Sequence, residues 1–157
     1  MKYEIVEIKE KTLVGLKARI KEEKTAHDTI WNLWKDLYSE KGVKNVKDRK
    51  NGNLMGVYYN YSNENGLAYD CLTGCEVKDT IDKIPEAMIK IQIPEGKYAK
   101  FIIFGNPEKA VGEFWKKFWE ELADDFSDNR SYTYDFEEYI AGNDYENMEI
   151  HIYISIK

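Results

Sequence analysis

The sequence predicts a single α+β domain over residues 1–157, in which two copies of a ββαββ unit form a joined antiparallel sheet with two helices. Two stretches carry apolar residues at helical spacing, and each lies between segments that alternate with a period of two. Each helical stretch also contains two tryptophans three or four residues apart: Trp31 and Trp34, then Trp115 and Trp119. This self-similarity indicates a duplication, with pseudo-repeats at about 1–79 and 86–157.

The first unit begins with two alternating segments. Residues 2–8 and 11–20 alternate apolar and polar side chains on either side of a charged turn, so we predict that they pair as two strands. From Thr25 the apolar residues recur at the period of a helix with one apolar face, and Gly42 offers a stop. This pattern predicts a helix near 26–41.

Two further strand pairs are predicted in the middle of the chain. Residues 55–61 and 66–77 are rich in tyrosine and β-branched side chains and flank the turn-forming segment Ser62-Asn63-Glu64-Asn65, which predicts a hairpin. The second unit then opens with alternating segments at 87–93 and 96–104, separated by a Pro-Glu-Gly turn. We predict that these two segments also pair.

The second unit continues with a helix and two strands. Asn106 is a good N-cap and Pro107 suits the first helical position, so a helix is predicted to begin there. Residues 132–140 and 147–156 alternate again and predict the last two strands. Two units that each cover one part of a sheet with one helix leave a cleft where they meet, and such a cleft is a typical ligand site.

Composition excludes several classes of function. The chain has 43% hydrophobic and 33% charged residues and a net charge of −6 at pH 7, which is typical of a globular protein. A polyanion such as DNA would be repelled by this charge, so direct nucleic-acid binding is disfavoured. The sequence contains no apolar run long enough to span a membrane and no export signal, so we expect a cytoplasmic protein.

Strong catalytic and cofactor motifs are absent from the sequence. It has no phosphate-binding loop, no dinucleotide fingerprint, no nucleophile elbow and no paired zinc-ligand spacing. Its two histidines, His27 and His151, are too few for a typical metal site. We therefore expect no metal and no cofactor.

Aromatic residues are the main candidates for a binding surface. They make up 14% of the chain, with 12 tyrosines, many of them on predicted strands. Tyrosine combines a flat apolar face with a polar tip. The four tryptophans lie on predicted core-facing helix stripes, so we expect them to pack against the sheet.

One acidic residue stands out among the strand tyrosines. In the segment 134–139, alternation places Glu137 and Tyr139 on one face and Phe136 and Glu138 on the other. If Phe136 packs under the helices, Glu137 lies on the opposite face. A carboxylate among tyrosine rings is suited to pair with a cationic ligand.

Several segments together resemble the GyrI-like effector-binding family. They are the opening Tyr3-Glu4-Ile5-Val6-Glu7 with Leu13-Val14-Gly15-Leu16, the turn Ile93-Pro94-Glu95-Gly96-Lys97-Tyr98-Ala99, and the strand Phe136-Glu137-Glu138-Tyr139. The resemblance spans nearly the whole chain and implies a duplicated ββαββ fold. It also implies a domain of the kind attached to AraC- and MerR-type transcription regulators, or free-standing, with multidrug sensing as one role.

The resemblance further implies which residues bind. Ligands of the family are often lipophilic cations, and the family's cleft glutamate corresponds to Glu137 by motif, with Tyr139 facing the same way. The final strand and the end of the second helix depart from the family pattern: many members have a proline in the former, and the latter lacks the usual Trp-Leu-Pro segment. These departures bear on ligand identity more than on fold.

Our leading hypothesis is a module that binds a small lipophilic, cationic or aromatic molecule between the pseudo-repeats. It would act as a sensor or by sequestration, without a DNA-binding domain of its own. The predicted ligand-binding residues are Glu137, Tyr139, Tyr59, Tyr61 and Tyr153.

Two alternatives remain open. The first, which the resemblance to the family implies, is a hydrolase of cyclopropane-containing genotoxins, in which Glu137 acts as general acid or base. The second, which the resemblance also implies through the name-giving member of the family, is an interaction protein that inhibits or protects gyrase or a regulator. Acidic pairs at 120–121 and 124–125 could mimic nucleic acid.

Overall fold

The computed structural model describes residues 1–63 and 67–157 of the chain. Within these residues, eight strands and three α-helices follow in the order β1 (Glu4–Ile8), β2 (Lys11–Ile20), α1 (Glu23–Tyr38), β3 (Leu54–Ser62), β4 (Ala68–Val77), β5 (Ile89–Ile93), β6 (Gly96–Gly105), α2 (Pro107–Lys117), α3 (Ala123–Phe126), β7 (Tyr134–Tyr139) and β8 (Met148–Ile156). A π-helical turn, Phe118–Leu122, joins α2 to α3, and short 3-10 turns lie at Val43–Asn45 and Tyr145–Asn147. The predicted α+β class is confirmed.

The strands form one antiparallel sheet in the order β1-β6-β8-β7-β3-β4-β2-β5. If each strand is exchanged for its counterpart in the other unit, β1 for β5, β2 for β6, β3 for β7 and β4 for β8, the same order results in reverse. The two ββαββ units are therefore related by an approximate twofold axis between β3 and β7. This confirms the predicted duplication.

Two of the predicted strand pairings are wrong. β1 pairs with β6 rather than with β2, and β2 pairs with β4 and β5. In the same way, β5 and β6 do not pair with each other. The connection from β1 to β2 and that from β5 to β6 each have two residues and so span at most about 11 Å. Links as short as these usually join the two strands of a hairpin, which is why the sequence predicted hairpins here. The chain instead bends at these points, and the sheet curls so that strands near its two edges lie close together.

The hairpin of β3 and β4 is confirmed, because these strands pair antiparallel from Met55 opposite Gly74 onward. Residues 64–66, which include the last two residues of the predicted turn and the first residue of the predicted second strand, lie outside the described residues. The helix of the first unit begins at Glu23, three residues earlier than predicted. That of the second unit begins as predicted, since the Asn106 side chain accepts a hydrogen bond from the Glu108 N–H and Pro107 follows it.

Both faces of the sheet are buried. One face carries a core that includes Leu13, Val57, Leu72 and Phe136, and none of the described helices contributes to it. On the other face, α1 covers β2 and β4, while α2 covers β6 and β8. The helices therefore sit over opposite halves of the sheet, and the central strands β3 and β7 lie beneath the gap between them. In the described parts of the chain, none of the helices combines the length and the apolar composition that a membrane-spanning helix requires.

Candidate functional site

A cavity of about 570 Å³ occupies the gap between α1 and α2, above β3 and β7. Its lining residues come from α1 and the residue after it, from α2, from the central strands, and from the start of β8 with the segment before it: His27, Ile30, Trp31, Trp34, Lys35, Tyr38, Ser39, Tyr58, Pro107, Glu108, Val111, Gly112, Glu137, Tyr139, Tyr145 and Met148. We call it the first cavity. Its lining is mostly aromatic and aliphatic, which suits an apolar ligand.

Glu137 lies at the floor of the first cavity and is 1% exposed. Its Oε2 atom accepts hydrogen bonds from the Tyr58 hydroxyl at 3.1 Å and from the Trp115 indole N–H at 3.0 Å. Its Oε1 atom accepts from the Tyr139 hydroxyl at 2.7 Å. The three donors come from β3, α2 and β7, so the carboxylate is held by both units of the fold.

All three donors to Glu137 are neutral. Among the described residues, Glu137 forms no ion pair, although several other buried acids do. Burial raises the pKa of Glu137 above its ordinary value, and the hydrogen bonds from Trp115, Tyr139 and Tyr58 only partly oppose this effect. The site thus holds a carboxylate that is hydrogen-bonded but has no cation to balance its charge.

The tyrosines beside this carboxylate remain protonated over a wide pH range. Burial, followed by the charge of Glu137, raises the pKa of Tyr58 and of Tyr139 well above the usual value. Both hydroxyls therefore act as hydrogen-bond donors. The Tyr139 ring also meets the Trp34 ring edge-to-face, with centroids 5.0 Å apart, and this contact builds one aromatic wall of the cavity.

A second, smaller cavity of about 230 Å³ lies beside the first, and Ile30 and Tyr58 line both. Its other lining residues are Tyr61, Leu67, Tyr69, Trp115, Trp119, Arg130 and Tyr132. Arg130 forms a buried ion pair with Asp135, at 2.7 Å between Nη2 and Oδ2. We call it the second cavity.

The structure brings together only some of the predicted site residues. Glu137 and Tyr139 both line the first cavity, whereas Tyr61 lines the second. Tyr59 and Tyr153 lie on the other face of the sheet, in the core that no helix covers. There the Tyr59 ring stacks on Tyr134 at 5.2 Å, and the Tyr153 ring stacks on Phe136 at 4.5 Å.

A bulge in β3 explains why Tyr59 and Tyr61 are separated. Strict alternation would place both side chains on one face. Asn60 has a φ of 56°, and the register with β4 shifts between Tyr59 and Ser62. This irregularity turns the Tyr61 side chain to the helix-covered face, where its hydroxyl donates to Asp135 at 2.6 Å. Tyr59 and Tyr153 are therefore not available to a ligand in either cavity.

The predicted orientation of β7 is also corrected. Alternation does place Glu137 and Phe136 on opposite faces, but Phe136 lies on the face away from the helices. Glu137 lies on the helix-covered face, where it meets Trp115 of α2. Because the core on each face is apolar, the position of Phe136 could not indicate which face the helices cover.

The tryptophans do not all pack in the core as predicted. Trp31 and Trp119 are exposed, at 42% and 52% of their surface. Trp31 and Trp34 line the first cavity, whereas Trp115 and Trp119 line the second. The equivalent tryptophan pairs of the two units thus serve two different cavities. The recurrence of such a pair, at a spacing of three residues in the first helix and four in the second, was the signal that could have indicated this.

The sequence matches the family described as Cass2, integron-associated effector binding protein, over residues 4–156. No curated protein is similar enough to match. Several solved structures share the fold, and in the three described below nearly all of both chains is covered.

The structure of SAV2435 bound to tetraphenylphosphonium has a TM-score of 0.81 and 20% identity, covering 100% of this chain and 94% of that chain. An integron cassette protein of Vibrio cholerae has a TM-score of 0.73 and 25% identity, covering 99% and 95%. The EcmrR C-terminal domain has a TM-score of 0.58 and 15% identity, covering 100% and 99%.

Proposed function

Since the chain belongs to the Cass2 family of integron-associated effector binding proteins, we propose that it binds a small lipophilic cation in the first cavity, as a sensor or sequestering module. The cationic centre lies next to Glu137, and the aromatic walls enclose the apolar groups around it.

The unbalanced charge of Glu137 carries this proposal. A buried carboxylate in a folded protein is usually paired with a cation, because an isolated buried charge is costly. Glu137 instead accepts three neutral hydrogen bonds at the floor of a cavity. Bringing in a cation supplies the missing charge partner, whereas bringing in an anion adds repulsion.

The walls suit a cation with aromatic or aliphatic substituents. Trp31, Trp34, Tyr38 and Tyr139 present rings to the first cavity. A cation over such a ring gains about 0.5–2 kcal/mol, depending on how well water is excluded. The charge of a lipophilic cation is weakly hydrated, so little hydration free energy is lost when the cation enters the cavity. Burial of its apolar surface then favours binding.

The experiment compares a permanently charged ligand with a neutral one of related shape. Tetraphenylphosphonium is the ligand in the SAV2435 structure, and triphenylphosphine oxide carries similar rings without a net charge. Isothermal titration calorimetry of both should show binding of the phosphonium, with the oxide weaker by about tenfold or more. Equal affinities would contradict the role of the carboxylate, and no binding of either would contradict the site.

The raised pKa of Glu137 also supports a second candidate function, hydrolysis of a strained cyclopropane-containing compound. A carboxyl group with a raised pKa can act as general acid or base. Turnover of such a compound, lost in a Glu137→Gln variant, would favour this function over binding alone. The hypothesis of a protein partner rests on exposed acidic side chains near Glu120 and Asp124, and the cavities do not bear on it.

A further inference from the structure

The second cavity is lined by the Arg130 guanidinium, a hydrogen-bond donor, whereas the first cavity is lined by the Glu137 carboxylate, a hydrogen-bond acceptor. The Arg130 side chain is 4% exposed, and its Nη2 atom donates to Asp135 at 2.7 Å. Its Nε atom is buried and has no hydrogen-bond partner among the described residues. A guanidinium carries five N–H groups in one plane. The wall of the second cavity therefore contains a donor group that is only partly used.

Asp135, by contrast, accepts two hydrogen bonds at each of its carboxylate oxygens. Besides Arg130, its Oδ2 atom accepts from the Tyr61 hydroxyl at 2.6 Å. Its Oδ1 atom accepts from the Ser155 N–H at 2.8 Å and from the Ser155 hydroxyl at 3.1 Å. Since this carboxylate is fully hydrogen-bonded and not exposed, the unsatisfied group near the second cavity is a donor. A ligand that completes it must bring an acceptor.

Aromatic rings determine how such a ligand can approach. The Tyr132 ring centroid lies 4.3 Å from the guanidinium carbon of Arg130, and the Trp119 ring centroid lies at 5.5 Å. These rings cover the guanidinium, so an acceptor reaches its N–H groups along its edge. Tyr132 is held in a left-handed backbone conformation, with a φ of 54°. A bulky residue rarely adopts this conformation, and here it accompanies the contact with Arg130.

We propose that the second cavity is a separate binding pocket for a planar aromatic molecule that carries a carboxylate or carbonyl oxygen, with Arg130 recognising the oxygen. The aromatic part packs against Tyr61, Trp119 and Tyr132, and the oxygen accepts from the guanidinium edge. Arginine matches a carboxylate through paired N–H groups in one plane. This pocket does not depend on the cation proposal, because Arg130 and its aromatic neighbours are absent from the first cavity.

The test uses one ring system with two opposite charges. Naphthoate presents a carboxylate, and naphthylmethylammonium presents a cation on the same rings. At about 0.15 M salt, where long-range repulsion from the net charge of −6 is screened, calorimetry should show naphthoate binding in the presence of saturating tetraphenylphosphonium. Competition between the two would overturn the proposal of a separate pocket, and so would the absence of naphthoate binding.

The exposed tryptophans provide matched variants that should not affect folding. Trp119→Ala removes a wall of the second cavity, and Trp31→Ala removes a wall of the first. Trp119→Ala should weaken naphthoate binding by about tenfold or more and leave phosphonium binding unchanged. Trp31→Ala should do the reverse. If naphthoate affinity is the same in Trp119→Ala as in the wild type, the probe lies elsewhere and the proposal fails.

Arg130→Lys tests the recognition of the oxygen. Lysine keeps the charge that balances Asp135, so the variant should fold, but it lacks the planar set of donors. Naphthoate affinity should fall by about tenfold, and the preference for naphthoate over naphthylmethylammonium in this pocket should decrease. An unchanged preference would show that Arg130 does not contact the carboxylate.

Discussion

Glu137 of β7 lies directly opposite Gly56 of β3 in the antiparallel register, at the centre of the eight-stranded sheet. A Cβ atom at position 56 would come within 3.1 Å of Cζ2 of Trp34 and 3.4 Å of Oε1 of Glu137. The missing side chain therefore makes the space in which the carboxylate and the indole lie close together. The second unit of the duplicated fold contributes the carboxylate of Glu137, and the first contributes Gly56, whose lack of a side chain leaves room for it.

Gly56→Ala should weaken ligand binding more than it weakens the fold. The new methyl group must displace Trp34, and overpacking of this kind costs about 1–3 kcal/mol. Replacing glycine within a strand returns about 0.5–1 kcal/mol, so urea unfolding should show a loss of roughly 2.5 kcal/mol or less. Displacement of Trp34 into the first cavity should reduce tetraphenylphosphonium affinity, measured by calorimetry.

Gly96→Ala is the matched control for this substitution. Its Cβ atom would meet only Cε1 of Tyr98, at an ordinary contact distance of 3.8 Å, and Gly96 lies outside both cavities. Stability and affinity should both stay near the wild-type values. Wild-type affinity in Gly56→Ala would show that Trp34 is not a wall of the binding site.

Glu137→Gln should separate the charge of the carboxylate from its shape. The glutamine oxygen can accept from Tyr58 and Trp115, and its NH₂ group can donate to the Tyr139 hydroxyl, which can rotate to accept. Stability should therefore be unchanged or slightly raised, because a buried charge is removed. Tetraphenylphosphonium affinity should fall by on the order of 1.5–3 kcal/mol, the range for a charge-assisted contact, with a much smaller loss for triphenylphosphine oxide.

Glu138→Gln provides the control on the other face of the same strand. Glu138 is half-buried and accepts a hydrogen bond from the Asn53 amide, and it does not line either cavity. Its replacement should leave the affinities for both ligands unchanged. An effect as large as that of Glu137→Gln would mean that the loss reflects the net charge of the protein rather than the site.

Sequence periodicity predicted the elements of this fold better than their pairing. The period-two and helical patterns located every strand and both main helices, since these patterns follow from local geometry. Pairing depends on where the chain goes after a short connection. A two-residue link such as 9–10 resembles a hairpin in sequence, but here it separates β1 from β2 across a curled sheet. Only long-range contacts specify that outcome.

The candidate site was predicted in the same partial way. Alternation paired Glu137 with Tyr139 on one face, and the structure places both in the first cavity. It could not identify Tyr59 as buried on the other face, because the bulge at Asn60 breaks the alternation. Arg130 was missed because it precedes β7 in an irregular segment, where no periodicity indicates which way a side chain points.

Gly112→Ala should raise stability while reducing the binding of bulky ligands. Gly112 lies within α2, and a Cβ atom there would have no neighbour within 4 Å. Alanine stabilises a helix interior by about 0.8–1 kcal/mol relative to glycine, so the melting temperature should rise. Gly112 also lines the first cavity, so the methyl group takes space from the ligand.

Affinity for tetraphenylphosphonium should therefore fall in this variant, while affinity for a slimmer cation such as tetramethylammonium should change little. Calorimetry of both cations on the same preparation makes the comparison. Equal losses for the two would indicate a change in α2 itself rather than a loss of space, and unchanged phosphonium affinity would place the ligand away from α2.

Acidification should weaken cation binding and should also remove the destabilisation that the ionised Glu137 causes in the folded protein. Both effects should depend on Glu137. Its pKa is raised in the native protein, chiefly by burial, so ionisation costs more in the folded than in the unfolded state. Below the unfolded-state pKa of about 4.3, both states are protonated and this cost is absent. As pH rises through the higher native pKa, the cost appears in full, and the stability of Glu137→Gln relative to wild type should increase.

Binding should follow the opposite course, because only the ionised carboxylate attracts the cation. Tetraphenylphosphonium does not titrate, so its affinity should rise with pH through the native pKa of Glu137 and then level off, while the profile of Glu137→Gln should lack this rise. Tyr58 and Tyr139, which contact the carboxylate, stay protonated throughout this range. His27, Lys35 and Glu108 also line the cavity. They are present in both proteins, so their contribution to the pH profile cancels when the profile of Glu137→Gln is subtracted from that of the wild type. Calorimetry and urea unfolding from about pH 4 to about pH 8 measure the two differences on one scale. A binding profile as steep in Glu137→Gln as in the wild type would show that another group at the cavity controls the charge.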